Sequence, residues 1–268
     1  VIGQLVFTLC APHGSWGSAS RSSATTAYKA TDLDPSKSAL IGLLGAALGL
    51  PRDRLGSLSE SLLVAVRTGI RPLRDPKPDW HTITRVPVTD GPGHGSRFPE
   101  ARGHLSGADH SGALLSRREY WTCGLWSVAV CSAAPEWPVA ALRDALAAPR
   151  WMLYAGRKAC TLGLPPDPVV IEAPGPVEAL ASYGWPWDRH PALGKPLEPL
   201  KGRVESQAAT AELAFDRDYP GAPSIGPDQT GRDVRRRDRC DPLALPGGRI
   251  YQRFHERTEV RTAWELTR

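Results

Sequence analysis

Residues 36–51 leave the least freedom in this chain, because they can only be a helix packed against something apolar. Leu40, Leu43, Leu44, Ala47 and Leu48 recur at i, i+3, i+4, i+7 and i+8, which a 3.6-residue period gathers on one face. Ser36 suits the N-cap, Gly49 suits the left-handed residue after the last turn, and Pro51 forbids continuation. Gly42 and Gly45 lower helix propensity, which predicts a close neighbour on that side.

Short apolar runs follow and precede this helix. Residues 5–10 read as a first strand ended by Pro12 and Gly14, and residues 62–67 as a second. Residues 120–133 are apolar on both faces, as a central strand would be. Residues 137–148 read as a second helix, with Pro138 in its first turn and Pro149 at its stop, and 169–172 as a fourth strand. The order predicts an α+β, ferredoxin-like (RRM-like) β-α-β-β-α-β core. Residues 75–116, rich in Gly, Pro and His and without periodicity, interrupt it as a projecting insertion, read as a long hairpin. Farther on, 177–183 read as a short helix, and 202–215 and 249–264 as strands of a small C-terminal β sheet. Residues 219–241 read as a charged, mobile loop. The expected division is 1–175, carrying an insertion at about 77–117, and 176–268.

A hydrophobic share of 41% over 268 residues is enough for a core. No apolar run approaches the roughly 20 residues that cross a bilayer, and residues 1–10 carry no signal-peptide pattern; the expectation is a soluble, cytoplasmic protein. The five cysteines show no C-x-x-C spacing, which argues against a disulfide framework and a zinc site. Four histidines (His81, His94, His104, His110) fall in the insertion with no cysteine beside them, and neither a metal nor a cofactor is expected. Residues 91–95 do not open a helix as a dinucleotide fingerprint requires, and His13-Gly14-Ser15 is no nucleophile elbow.

The formal net charge of +5 favours anionic partners, nucleic acid first. Residues 149–162 (PRWMLYAGRKACTL) interleave cations and rings, as single-stranded RNA requires when phosphates are held and bases stacked. Tyr154, Arg157 and Lys158 are its candidates, although a solvated strand-to-loop transition would give the same letters. Arg117 and Arg118 before Tyr120 and Trp121 form a second such junction. Lys37 stands in the first turn of the best helix, where a cation opposes the dipole unless an anion binds beside it; a Lys that merely tolerates its position is the plain alternative. The five arginines within 232–239 are interrupted by Asp233 and Asp238, as in a solvated loop.

Six pieces occur in the order of one known family. They are LVFTLCAPHGSWG (5–17), SALIGLLGAALG (38–49) followed by Pro51-Arg52-Asp53, VAVR (64–67), DWHT (79–82), REY (118–120) and the segment 149–162. Over about the first 165 residues the sequence resembles the CasD family (the Cas-five-e subunit) of type I-E Cascade, within the RAMP superfamily of RNA-binding proteins. The resemblance implies a non-catalytic subunit for antiviral defence that grips the 5′ handle of the CRISPR RNA. It implies partners as well: the backbone subunit CasC, the large subunit CasA, other Cascade subunits, and target DNA within the complex. Its thumb-like insertion would kink the RNA and pack on the neighbouring backbone subunit. Carried over by position, Arg118, Tyr154, Arg157 and Lys158 are the handle contacts, with Trp16, Lys37 and His81 as further candidates. Relatives often carry Tyr at the position of Trp80, and Arg-Arg where this chain has Arg157-Lys158, which keeps charge but not bidentate geometry. The other class of function is a metal-independent endoribonuclease processing precursor CRISPR RNA, as type I-C relatives do, for which His81, Tyr28 and Lys37 supply the residue types. A ferredoxin-like interaction protein without an RNA role is a third.

Overall fold

The computed structural model describes residues 1–18, 28–75, 79–84, 113–223, 232–245 and 249–264. In chain order these form strands β1 (Ile2–Gly14), β2 (Trp16–Gly17), β3 (Tyr28–Lys29) and β4 (Thr31–Asp32), then helices α1 (Lys37–Leu48) and α2 (Leu55–Ser61). Next come β5 (Leu62–Ile70), β6 (Leu73–Arg74), β7 (Asp79–Thr84), β8 (Ala113–Arg118), β9 (Trp121–Ser132), α3 (Val139–Ala147) and β10 (Val169–Ala173). The chain continues through α4 (Pro176–Tyr183), α5 (Pro186–Arg189), α6 (Gly194–Gln207), β11 (Glu212–Asp216), β12 (Arg232–Leu245) and β13 (Arg249–Ala263).

One large sheet runs β10-β1-β9-β5-β11-β13-β12, with β6 added beside β9 and every neighbouring pair antiparallel. β1 and β9 lie inside it with both faces covered, which is why their sequences are apolar almost throughout. Leu5, Phe7 and Leu9 meet Trp126, Val128 and Val130 under α1 and α3. Val6, Ala129 and Cys131 face the other way, against Ala179, Leu180 and Tyr183 of α4. The four cysteines whose side chains are described are free thiols, and burial pushes those of Cys10 and Cys131 up to about 11. Among the described residues no helix is long and apolar enough to cross a membrane.

The stripe on α1 packs as its period requires, with Leu40, Ile41, Leu43, Leu44 and Ala47 buried. The Ser36 hydroxyl accepts from the Ala39 N–H at 3.3 Å, and Gly49 closes the helix at φ 72°. The carbonyls of Ala46 and Ala47 also accept from the N–H groups of Trp151 and Arg150, which satisfies acceptors that a helix end leaves open. Gly45 has the close neighbour expected, Leu55, which a Cβ would meet at 2.3 Å, whereas Gly42 has nothing within 4 Å. Pro138 is the N-cap of α3 and stands just outside its first turn.

The C-terminal third differs from the sequence reading. Among the described residues there is no separate small C-terminal sheet: β11 pairs with β5 (Leu213↔Arg67, Phe215↔Ala65), and β13 and β12 extend the same sheet. Residues 202–207 are helical, because Leu197, Leu200 and Val204 carry a helical spacing that packs on Cys10, Ile70 and Leu125. The supposed loop 219–241 begins with a core residue, since Tyr219 is buried and donates its hydroxyl to Gln4 Oε1 at 2.8 Å. From Arg232 onward it is strand, with Arg232 to Arg239 paired residue by residue with β13 and an irregularity before Pro242; 224–231 lie outside the described residues.

The insertion starts and ends as an antiparallel pair, β7 with β8, from Asp79↔Arg118 to Thr84↔Ala113. Tyr28 and Lys29 of β3 join β8 in parallel, completing a three-stranded sheet, β3-β8-β7. Residues 76–78 and 85–112, including His94, His104 and His110, lie outside the described residues.

Candidate nucleic-acid interface

Three tryptophans form the floor. Trp16, Trp121 and Trp126 are buried with ring centroids 5.1–5.5 Å apart. Gly14 makes room for them, since a Cβ there would stand 2.1 Å from the Trp121 ring.

On this floor sits the tight loop of residues 154–161. Tyr154 and Thr161 form a β-bridge, the Ala155 N–H donates to the Cys160 carbonyl at 2.7 Å, and the Cys160 N–H to the Arg157 carbonyl at 2.8 Å. The loop is tied to the core where the Ser15 N–H donates to the Ala155 carbonyl at 3.1 Å. Its apex lays the Arg157 guanidinium over the Tyr120 ring at 4.3 Å, while Tyr120 stacks on His13 at 4.6 Å and 19°. Arg157 Nη2 also reaches the Lys29 carbonyl at 3.5 Å.

The three-stranded sheet supplies the other wall. In register, Lys29, Arg118 and Asp79 share one face, with Ser116 and His81 next along it. Glu119 stands at the junction, and its carboxylate is fully engaged. It accepts from the Tyr28 hydroxyl, from the Thr31 N–H at 3.2 Å and from Arg74 Nη1 at 3.0 Å. That leaves Lys29 and Lys158 exposed, and Arg118 and Arg157 half-buried. Two guanidinium atoms, Arg118 Nε and Arg157 Nη1, are shielded from solvent and have no hydrogen-bond partner among the described residues.

Arg157 thus reaches the strand pair that carries Arg118 (together, the lip), Tyr154 and Lys158 belong to the same loop as Arg157, and His81 is exposed on the neighbouring strand, diagonal to Arg118. Two other sequence candidates lie elsewhere. Trp16 is 1% exposed and supports the loop from beneath. Lys37 is buried, its ammonium 3.4 Å from Asp216 Oδ2, so the cation that opposes the α1 dipole is stabilised by a carboxylate of its own chain. Asp216 is bound in turn by the Val64 N–H (2.9 Å) and Arg257 (2.7 Å). The charges alternate onward through Glu259 and Arg261 to Asp34, with contacts of 2.7–3.1 Å. Burial raises the Asp34 carboxyl, but the Arg261 charge and hydrogen bond, with the Trp126 indole and Arg71, outweigh it and hold the group below the usual carboxylate range. A shallow cleft of about 310 Å³ lies beside this chain of charges, lined by Asp32, Asp34, Arg71, Arg74 and Arg261.

The residues that sequence reasoning missed here are His13, Lys29, Arg74 and Glu119. Only the nearness of His13 to the SWG turn hinted at one of them. Among the described residues no group of His, Cys, Asp or Glu side chains is placed to hold a metal.

Residues 4–219 match the family described as CRISPR-associated protein (Cas_Cas5). The chain is 28% identical over 200 residues to the CRISPR system Cascade subunit CasD of Escherichia coli (strain K12), covering 67% of this chain and 76% of that one. Its fold is similar to a solved chain described as a CRISPR RNA-guided surveillance complex, with a TM-score of 0.52 at 22% identity over 96% of this chain and 88% of the other. With the family matched across both the three-tryptophan floor and the cationic lip above it, the chain belongs to the Cas5 family of CRISPR-associated proteins.

Proposed function

We propose that the chain is a non-catalytic subunit of a Cascade-type CRISPR complex and that it holds the 5′ handle of the CRISPR RNA. The observation that carries this reading is the Arg157 guanidinium, laid over the Tyr120 ring and reaching the carbonyl of Lys29, which is in register with Arg118, so that cations are set beside a ring. Cations hold the phosphates and rings stack the bases of single-stranded RNA. The handle contacts are Arg118, Tyr154, Arg157 and Lys158, with His81 at the margin. We read β1-α1-β5-β9-α3-β10 as a ferredoxin-like core, because β10-β1-β9-β5 with two helical crossovers is that strand order. The likeness to CasD, a Cascade subunit, supports assembly beside the backbone subunit CasC and the large subunit CasA.

Endoribonuclease chemistry is not favoured. Its three residue types do not converge: Lys37 is held by Asp216, which binds β5 at Val64, opposite Val130. Tyr28 lies beside Glu119, just before the other end of β9, about 30 Å away at 3.3 Å per residue.

The test is binding of a repeat-derived RNA to the full chain at physiological salt. Arg118→Ala and Arg157→Ala should each weaken binding roughly ten-fold, as loss of a charged hydrogen bond does. Unchanged affinity in both variants would sink this reading. With a chelator present the RNA should stay intact, and cleavage that requires His81 would favour the nuclease.

A further inference from the structure

We propose that the outer face of the β3-β8-β7 sheet is a second RNA subsite, in which an unpaired base stacks on Trp80 beside the guanidinium of Arg117. This rests on the RNA-binding reading above and adds a face that the lip does not use.

Trp80 is 61% exposed and Leu115 54%, in a chain that buries three other tryptophans almost completely. Both belong to one face. Tyr28 pairs with Arg117 and Arg117 with Trp80, so the three stand in line across three strands, and Thr82 and Leu115 follow as the next pair on the same side. Arg118 and His81 alternate to the opposite face, toward the lip. Adjacent strands lie about 4.8 Å apart, so the phenol and indole are rooted about 10 Å apart with the cation between them.

The middle cation is positioned, and no described carboxylate neutralises it. Arg117 lies 5.4 Å over the Tyr28 ring, and the Tyr28 hydroxyl is anchored on Glu119. Because Tyr28, Thr31 and Arg74 already occupy Glu119, its carboxylate does not compete for Arg117, and no carboxylate pairs with Arg117 among the described residues. A ring, a guanidinium and a second ring on an exposed sheet face form the arrangement on which unstacked bases lie, with the cation free for the adjoining phosphate. The positive charge of Arg117, set between the Tyr28 and Trp80 positions on this face, selects a nucleic acid over an apolar protein surface as the occupant.

The test uses the full chain and repeat-derived single-stranded RNAs carrying 2-aminopurine at one position each. One position should be quenched on binding. Trp80→Ala should abolish that quenching and weaken binding about ten-fold, Trp80→Phe should retain most of both, and Arg117→Ala should weaken binding. Arg157→Ala should lower affinity at every position yet leave the quenched position quenched at saturation. If Trp80→Ala changes neither quenching nor affinity while Arg157→Ala still weakens binding, the subsite is overturned and the lip stands. Loss of subunit association with RNA affinity unchanged would overturn it too, assigning Trp80 to a protein contact. If Arg118→Ala and Arg157→Ala have no effect either, the RNA reading fails as well.

Discussion

At Gly156 the backbone takes φ 81°, and a Cβ would stand 1.8 Å from the Ser15 carbonyl oxygen. Any side chain there must therefore accept left-handed strain and push the loop off the core. Strain alone costs about 1–2 kcal/mol, so Gly156→Ala should lower stability by at least about 2 kcal/mol in thermal or urea melts. It should also weaken RNA binding by displacing Arg157. Arg118 and Arg157 stood out in the sequence as cations next to rings, although a solvated loop would give the same letters. The need for Gly156, the stacking role of His13 and the engagement of Glu119 did not stand out. Each comes from a contact between segments far apart in the chain, which no local pattern records.

Helix α1 was legible to the residue, since cap, stripe and stop all act within one segment. Helix α6 was not: Pro199 and two glycines break its signal, and its apolar side is only Leu197, Leu200 and Val204. The joining of β11 to β5 was also hidden, because strand pairing depends on which edge the core leaves open. That junction is fastened by the alternating charges running from Lys37 to Asp34, and Asp216 is its central acid. Asp216→Ala would leave Lys37, Arg257 and the Val64 N–H with a lost partner, and breaking a buried pair from one side costs about 3–5 kcal/mol. The urea midpoint should fall accordingly with an unchanged slope. Lys37→Met leaves Asp216 its pairing with Arg257, so it should cost less and leave RNA affinity unaltered.

Across the whole molecule the same charges set the acid limit. Asp34 has a folded pKa held below its unfolded value of about 3.9. Its contribution is therefore complete above that value and is lost as pH falls through the lower, folded one. Stability should be level from neutral pH down to about 5 and decline below 4, with a shallower decline in Asp34→Asn, as followed by denaturation midpoints. The mixture of helices and strands over residues 2–173 was readable from local patterns, whereas the breadth of the sheet was not. That breadth ends at β12, whose pairing with β13 is irregular between Arg239 and Pro242. A border strand that is densely charged, broken in register and interrupted by a proline lacking its N–H is a poor template for strand addition. The β12 border of the sheet is thus guarded against edge-to-edge aggregation.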